Sequence, residues 1–70
     1  MKPLTAKRLI QIIEQEGFHL SRQKGSHRIY RHSQKGVMVA VPMHGGNKVL
    51  LIGTFLAIVK QSGIGLQRFK

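Results

Sequence analysis

The triplet Gly25-Ser26-His27 joins a turn-forming glycine to an imidazole at the start of a strand-like run. Histidine suits proton transfer near neutral pH, because its ordinary pKa lies close to neutrality. Cleaving an RNA backbone without a metal ion uses the RNA's own 2′-hydroxyl as nucleophile, so a protein must move protons and stabilise negative charge on the phosphate. His27 suits the first task, and the arginines and lysines around it suit the second.

Two catalytic roles for His27 remain open. The alternative to both is a polar residue that begins a strand and has no role in a reaction. Neighbouring positive charges disfavour a further charge on the ring, which favours a neutral imidazole acting as general base on the 2′-hydroxyl. A bound phosphate reverses that bias, so a general-acid role on the leaving 5′-oxygen is the second possibility. Gly25 allows the backbone to form a tight turn, and its lack of a side chain also allows the backbone to come close to a phosphate. Ser26 either donates a hydrogen bond to a phosphate oxygen or completes the turn.

The other histidines and the acids carry less chemistry. His44, on a glycine-rich loop, is a candidate second proton-transfer or RNA-contact residue, against the alternative of a solvated loop residue. His32 is predicted to be exposed at a strand end and His19 to lie on a polar strand face. The histidine spacing fits no familiar zinc pattern, and Glu14 and Glu16, the only acids, belong to one helix. The sequence therefore predicts a reaction with no metal and no other cofactor.

Cations near His27 are expected to neutralise RNA phosphates. They are Arg22, Lys24, Arg28, Arg31 and Lys48. If Z of them contact single-stranded RNA, the plot of log affinity against log salt has a slope of roughly −0.7Z. Tyr30 is a candidate for stacking on a base, with packing against a helix or at a strand edge as the favoured alternative.

The composition independently points to a polyanion as partner. The chain has 12 Lys+Arg against 2 Asp+Glu, a formal net charge of +10, and such a field attracts polyanions at long range. A basic solubilising surface, or a face matched to an acidic protein, would have the same composition. Because the charges are spread over predicted strands and turns and are not confined to one tail, RNA is the favoured partner.

Length and residue usage limit the class of protein. Seventy residues allow one domain, 1–70, with a modest core. The absence of cysteine removes disulfides and thiolate metal sites. Polar residues interrupt the apolar run near the N-terminus, and no segment approaches the roughly 20 apolar residues of a membrane span. We therefore expect a soluble, cytoplasmic protein with no membrane partner.

Two helices and three strands are predicted to position these residues. Thr5 caps a first helix whose apolar positions recur with helical spacing, and Gly17 ends it. Strands are expected over 18–23, 27–32 and 37–42, and the short connections predict an antiparallel meander. Thr54 is the expected N-cap of a second helix that Gly63 ends. The fold class is therefore α+β, an α-β-β-β-α two-layer sandwich with both helices on one face of the sheet.

This order is also that of the double-stranded RNA-binding domain, and three segments resemble one family more narrowly. They are residues 25–32 (Gly-Ser-His-Arg-Ile-Tyr-Arg-His), 41–45 (Val-Pro-Met-His-Gly) and 53–64 (Gly-Thr-Phe-Leu-Ala-Ile-Val-Lys-Gln-Ser-Gly-Ile). In this order and spacing they resemble the HicA toxin family of type II toxin–antitoxin systems. The resemblance implies an mRNA interferase with a double-stranded-RNA-binding-like fold, held inactive by a HicB antitoxin. The family's catalytic histidine corresponds to His27.

The chain departs from that family in two places. Leu50-Leu51-Ile52 stand where relatives often carry lysine or other polar residues, and the tail Gln67-Arg68-Phe69 lacks acids often found before the phenylalanine. The first departure either weakens an RNA contact or adds to an interface, and neither touches His27. The charge of +10 also favours an acidic inhibitor through electrostatic steering.

Two other functions compete with the ribonuclease. A non-catalytic double-stranded RNA-binding module would typically use a lysine cluster at the start of the second helix, where this chain has only Lys48 nearby. A basic structural protein recruited by an acidic partner would bind RNA weakly and without specificity. The ribonuclease is the prediction that the three segments favour.

Overall fold

Two helices and one sheet account for most of the chain in the computed structural model, which describes residues 3–43 and 49–69. The elements are helix α1 (Ala6–Gln15), strands β1 (Phe18–Lys24), β2 (His27–His32) and β3 (Val37–Pro42), helix α2 (Ile52–Ser62) and a 3₁₀ turn over Leu66–Phe69. The order and the α+β class are as predicted, and β1 runs one residue longer. None of the helices in the described ranges is long and apolar enough to cross a membrane.

Helix α1 begins and ends as the sequence predicts. The Thr5 Oγ1 accepts a hydrogen bond from the Arg8 backbone N–H at 3.1 Å, which satisfies one of the free donors of the first turn. Its apolar face is buried. Gly17 follows the helix with a φ of 102°, a conformation that L side chains rarely adopt.

The sheet is an antiparallel meander in the order β1-β2-β3, so β2 is the central strand. His27 pairs with Lys24 of β1 and with Pro42 of β3. A register shift between Leu20 and Arg22 inserts an extra residue into β1. The helix-facing side of the sheet holds Phe18, Tyr30, Val39 and Val41, all in the core. Alternate residues therefore lie on the opposite, outer face.

Helix α2 begins earlier than predicted, and Thr54 is not its N-cap. Leu51 occupies that position, without a side-chain cap hydrogen bond, and Thr54 lies in the first turn. The cause is a contact with a distant segment: Val49 forms an antiparallel bridge with Thr5, and the Leu50 N–H donates to the Leu4 carbonyl at 2.9 Å. This pairing ends at residue 50, so the helix starts directly after Leu51.

The rest of α2 follows the prediction. Its buried side chains are Phe55, Ile58, Val59 and Ser62. Gly63 ends the helix with a φ of 72°. The tail then returns to the core, because the Phe69 ring is 1% exposed and meets the Phe55 ring edge-to-face at 6.0 Å.

His32 is buried, so its predicted exposure at a strand end is wrong. Only 7% of the residue is exposed, and its ring meets Phe18 edge-to-face at 5.2 Å. Its Nδ1 accepts from the Lys35 backbone N–H at 3.1 Å, and its Nε2 lies 3.1 Å from the Glu16 carbonyl oxygen. Side chains alternate between the two faces along a strand. His32 is two residues from the buried Tyr30 and therefore faces the helices as well.

Gly17→Ala is expected to lower the free energy of unfolding by about 3 kcal/mol, through left-handed backbone strain and overpacking. A Cβ at Gly17 would lie 2.7 Å from His32 Nε2. The control is Gly36→Ala, which has a φ of 66° and nothing within 4 Å of the added carbon, so it should cost only the strain of about 1 kcal/mol. Urea unfolding measures both; equal losses would show that the His32 contact is unimportant.

Candidate active site on the outer face of the sheet

The outer face of the sheet carries His27 together with several of the predicted phosphate contacts. Strand register and the burial pattern assign one set of side chains to this face. We call them the outer-face set: His19, Arg22, Lys24, His27, Ile29, Arg31, Met38, Ala40 and Pro42. Basic side chains from β1 and β2 therefore share one surface with the exposed imidazole of His27.

The immediate surroundings of His27 come from the two strands that flank β2. Lys24 is its cross-strand neighbour on β1, and directly opposed residues have Cβ atoms about 4.5–5.5 Å apart. Pro42 is its neighbour on β3. One residue further along, the Met43 N–H donates to the Ser26 carbonyl at 2.7 Å. The end of β3 is thus tied to the turn that precedes His27.

Gly25 and Ser26 form a two-residue hairpin turn between β1 and β2. Gly25 has a φ of 59°, and Ser26 is not among the residues with positive φ, which is the pattern of a type II′ turn. The Gln23 side-chain amide donates to the Gly25 carbonyl at 3.2 Å. A Cβ added to Gly25 would meet nothing within 4 Å. The turn therefore needs glycine for its backbone, and its outer surface has room for a phosphate.

Among the described residues, the outer-face cations form no ion pair with an acid. Within the described residues the ion pair is between Arg68 and Glu16, at the far end of α1. Neither Arg22, Lys24 nor Arg31 takes part in it, and all three are exposed. Their charge is consequently available to a polyanion that approaches His27.

Two predicted RNA contacts lie on the other side of the sheet. Tyr30 is 2% exposed and belongs to the core, so its ring cannot stack on a base; packing against the helices, the favoured alternative, is what the structure shows. Arg28 is half-buried on the same helix-facing side. Adjacent residues of a strand point to opposite faces, so His27 and Arg28 cannot share one surface. Alternation applied to the sequence would have separated them.

Two other predicted site residues, His44 and Lys48, lie outside the described residues. The last described residue before them, Met43, is the one bonded to Ser26. Met43 is therefore held at the Gly25-Ser26 turn. Both residues stay predictions.

A cavity of about 440 Å³ lies between α1 and the helix-facing side of the sheet. Its lining residues are Lys7, Ile10, Gln11, Glu14, Arg28, Tyr30 and Met43. The Nε of Arg28 is buried and has no hydrogen-bond partner among the described residues. Sequence reasoning missed the polar residues from α1. Their spacing of i, i+4 and i+7 from Lys7 was the available signal, because it places them on one helix face.

The described residues contain no group of three or more histidine or acidic side chains arranged to hold a metal ion. The two acids have different surroundings, since Glu16 pairs with Arg68 and Glu14 lines the cavity. The outer-face set itself contains an exposed imidazole and several cations, which are the groups that an acid–base site uses.

Comparison with known proteins places this arrangement in a family. Residues 6–64 match the family model described as the HicA toxin of bacterial toxin–antitoxin systems. The matched span begins at the first residue of α1 and ends just after α2, so it contains the sheet, both helices and the Gly25-Ser26-His27 segment. No curated protein matches the chain.

Proposed function

The chain belongs to the HicA toxin family of bacterial toxin–antitoxin systems, and from that premise we propose that it is a ribonuclease that cleaves mRNA through His27 without a metal ion. One observation carries the proposal: the exposed His27 lies between an open glycine turn and cations that form no ion pair within the described residues. RNA bound on this face brings its phosphate to the imidazole.

The proposed reaction is an internal transfer at phosphorus. The 2′-oxygen attacks the adjacent phosphorus, the bond from phosphorus to the 5′-oxygen breaks, and the products are a 2′,3′-cyclic phosphate and a 5′-hydroxyl. His27 takes the proton from the 2′-hydroxyl, and water or a second residue returns one to the 5′-oxygen. Lys24, beside His27 across the strand pair, stabilises the negative charge that grows on the phosphate.

Substrate binding in this proposal depends on the outer-face set. Lys24 and Arg22 follow one another along β1, and Arg31 lies further along β2. Ile29 and Met38 supply apolar surface between the cations, and Met38 is 46% exposed. Because the single tyrosine is buried, the stacking partners on this face are imidazoles such as that of His19. An RNA single strand lying across the sheet meets cations and apolar surface together.

The partner is an antitoxin, which the proposal takes to be an acidic, HicB-like protein. The charge of +10 would speed its association through electrostatic steering. Blocking RNA requires that it cover the outer face around His27. The unusual Leu50-Leu51-Ile52 segment adds a second contact, because Leu50 is in the core but Leu51 is 80% exposed and Ile52 is also exposed. Apolar exposure at this position suits a protein interface better than a phosphate.

That same segment weighs against the non-catalytic double-stranded RNA-binding module. Such a module needs cations where α2 begins, and the exposed side chains described there are the apolar Val49, Leu51 and Ile52. Lys48 lies outside the described residues. The outer-face set instead concentrates cations around a histidine, which favours cleavage over duplex binding.

Replacing His27 tests the catalytic assignment. His27→Ala is expected to abolish growth arrest in bacteria and to lower RNA cleavage in EDTA by about 10²–10⁴-fold, the usual contribution of one acid–base group. The matched control is His19→Ala, which removes an exposed histidine that contacts RNA only by stacking and should therefore keep the cleavage rate at saturating RNA. The proposal is wrong if the wild-type protein leaves both single- and double-stranded RNA intact in EDTA.

The phosphate contacts are tested by salt dependence in the His27→Ala background, where RNA is bound without being cut. Lys24→Gln and Arg31→Gln should each weaken binding and reduce the magnitude of the log–log salt slope by roughly 0.7, the value for one phosphate contact on a single strand. Lys60→Gln, on α2, serves as the charge-matched control with an unchanged slope. If Lys24→Gln and Arg31→Gln left the salt slope unchanged, RNA would not bind on the outer face of the sheet.

A substrate with a 5′-thio leaving group separates base from acid, because a thiolate leaves without needing a proton. With His27 as general base, His27→Ala should be equally defective on the oxygen and the thio substrates. Single-turnover cleavage rates on the two substrates measure this. Rescue of the variant by the thio substrate would assign His27 as the acid instead.

A further inference from the structure

The cavity beneath α1 is lined by two residues from the end of the sheet that carries His27, although it lies on the opposite face. Arg28, in its wall, follows His27 directly in the chain, and Met43, also in its wall, is hydrogen-bonded to the turn residue Ser26. An RNA strand that passes over this end of the sheet can therefore place one nucleotide at His27 and the next in the cavity.

The walls of the cavity divide into an apolar floor and a polar rim. Ile10 and Tyr30 lie at the bottom of the floor and are themselves buried, so the half-buried Met43 supplies the apolar surface that a base can contact. Lys7, Gln11 and Glu14 are exposed along the rim. Its volume of about 440 Å³ falls within the range of about 300–1,000 Å³ that is usual for pockets that enclose small molecules. Floor and rim together suit a nucleobase read at its edge.

Glu14 is the most informative residue of the rim, because it is one of only two acids in a chain of charge +10. A carboxylate beside an RNA path repels phosphates, and within the described residues Glu14 forms no ion pair. An ionised carboxylate only accepts hydrogen bonds. It therefore favours a base edge that presents an exocyclic amino group, as cytosine, adenine and guanine do, and disfavours the carbonyl oxygens of uracil.

We propose that this cavity is a nucleobase subsite that binds the base next to the cleaved phosphate and discriminates against uracil through Glu14. The inference rests on the proposed ribonuclease function. The Arg28 guanidinium, whose Nε has no hydrogen-bond partner among the described residues, donates to the phosphate or to an acceptor of the bound base. The subsite gives the enzyme a base preference at one position beside the cut.

Cleavage of a random-sequence RNA pool, read by sequencing of the ends, tests the subsite. Wild type should disfavour uracil about tenfold at one position adjacent to the cut, which is a typical discrimination for one good base contact. Glu14→Gln should reduce that preference to about twofold or less. Glu16→Gln removes the same charge outside the cavity, where Glu16 pairs with Arg68, and should keep the wild-type preference. Circular dichroism and urea midpoints confirm that the variants are folded.

A binding measurement separates failure of the subsite from failure of the proposed function. In the His27→Ala background, short RNAs that differ by one cytosine-to-uracil change are compared, and Glu14→Gln should remove the difference in affinity. Cleavage with no base preference beside the cut, or a preference that survives Glu14→Gln, would overturn the subsite and leave the ribonuclease standing. If wild type does not cleave, the ribonuclease fails, and the affinity difference still decides the subsite. A uniform gain in affinity from Glu14→Gln would mean that only phosphate is contacted there, which also overturns it.

Discussion

The alternation of side chains along the central strand β2 is the constraint on which both faces of the sheet depend. Burial of Tyr30 in the core commits Arg28 and His32 to the helix-facing side of β2 and leaves His27 and Arg31 on the outer face. A slip of one residue would exchange the two sets, burying the imidazole and exposing the tyrosine. Burial of this one ring therefore determines which side chains the outer face of the sheet presents.

The two ends of β2 use histidine for opposite purposes. His32 is enclosed by Phe18, the Glu16 carbonyl and the Lys35 N–H, so it joins the end of α1 to the connection between β2 and β3. Because Nδ1 accepts from Lys35, the ring proton sits on Nε2 and is donated to Glu16. His27 is exposed at the other end, beside an open turn. Burial and satisfied hydrogen bonds make one ring structural, while exposure among cations suits the other for proton transfer.

Much of the fold could be predicted, and less of the candidate site. Helix and strand bounds follow from local patterns such as the Thr5 cap, the Gly63 stop and the alternation of apolar residues. The start of α2 could not be predicted, because it depends on pairing between segments near Thr5 and Val49 that are far apart in the chain. In the site, the glycine turn before His27 was readable. The spacing of Lys7, Gln11 and Glu14 could show that they share one face of α1, but not that this face lines a cavity.

The sequence by itself determined the element order, the basic charge and the presence of one histidine in a turn-and-strand motif that resembles a toxin family. These properties depend on composition and on neighbours within a few residues. Only the tertiary structure decided that Tyr30 is core, that His32 is a structural contact and that Arg28 and Glu14 line one cavity. The physical reason is that burial and side-chain neighbours arise when α1 packs on the sheet, and packing between distant segments leaves no local signature in the chain.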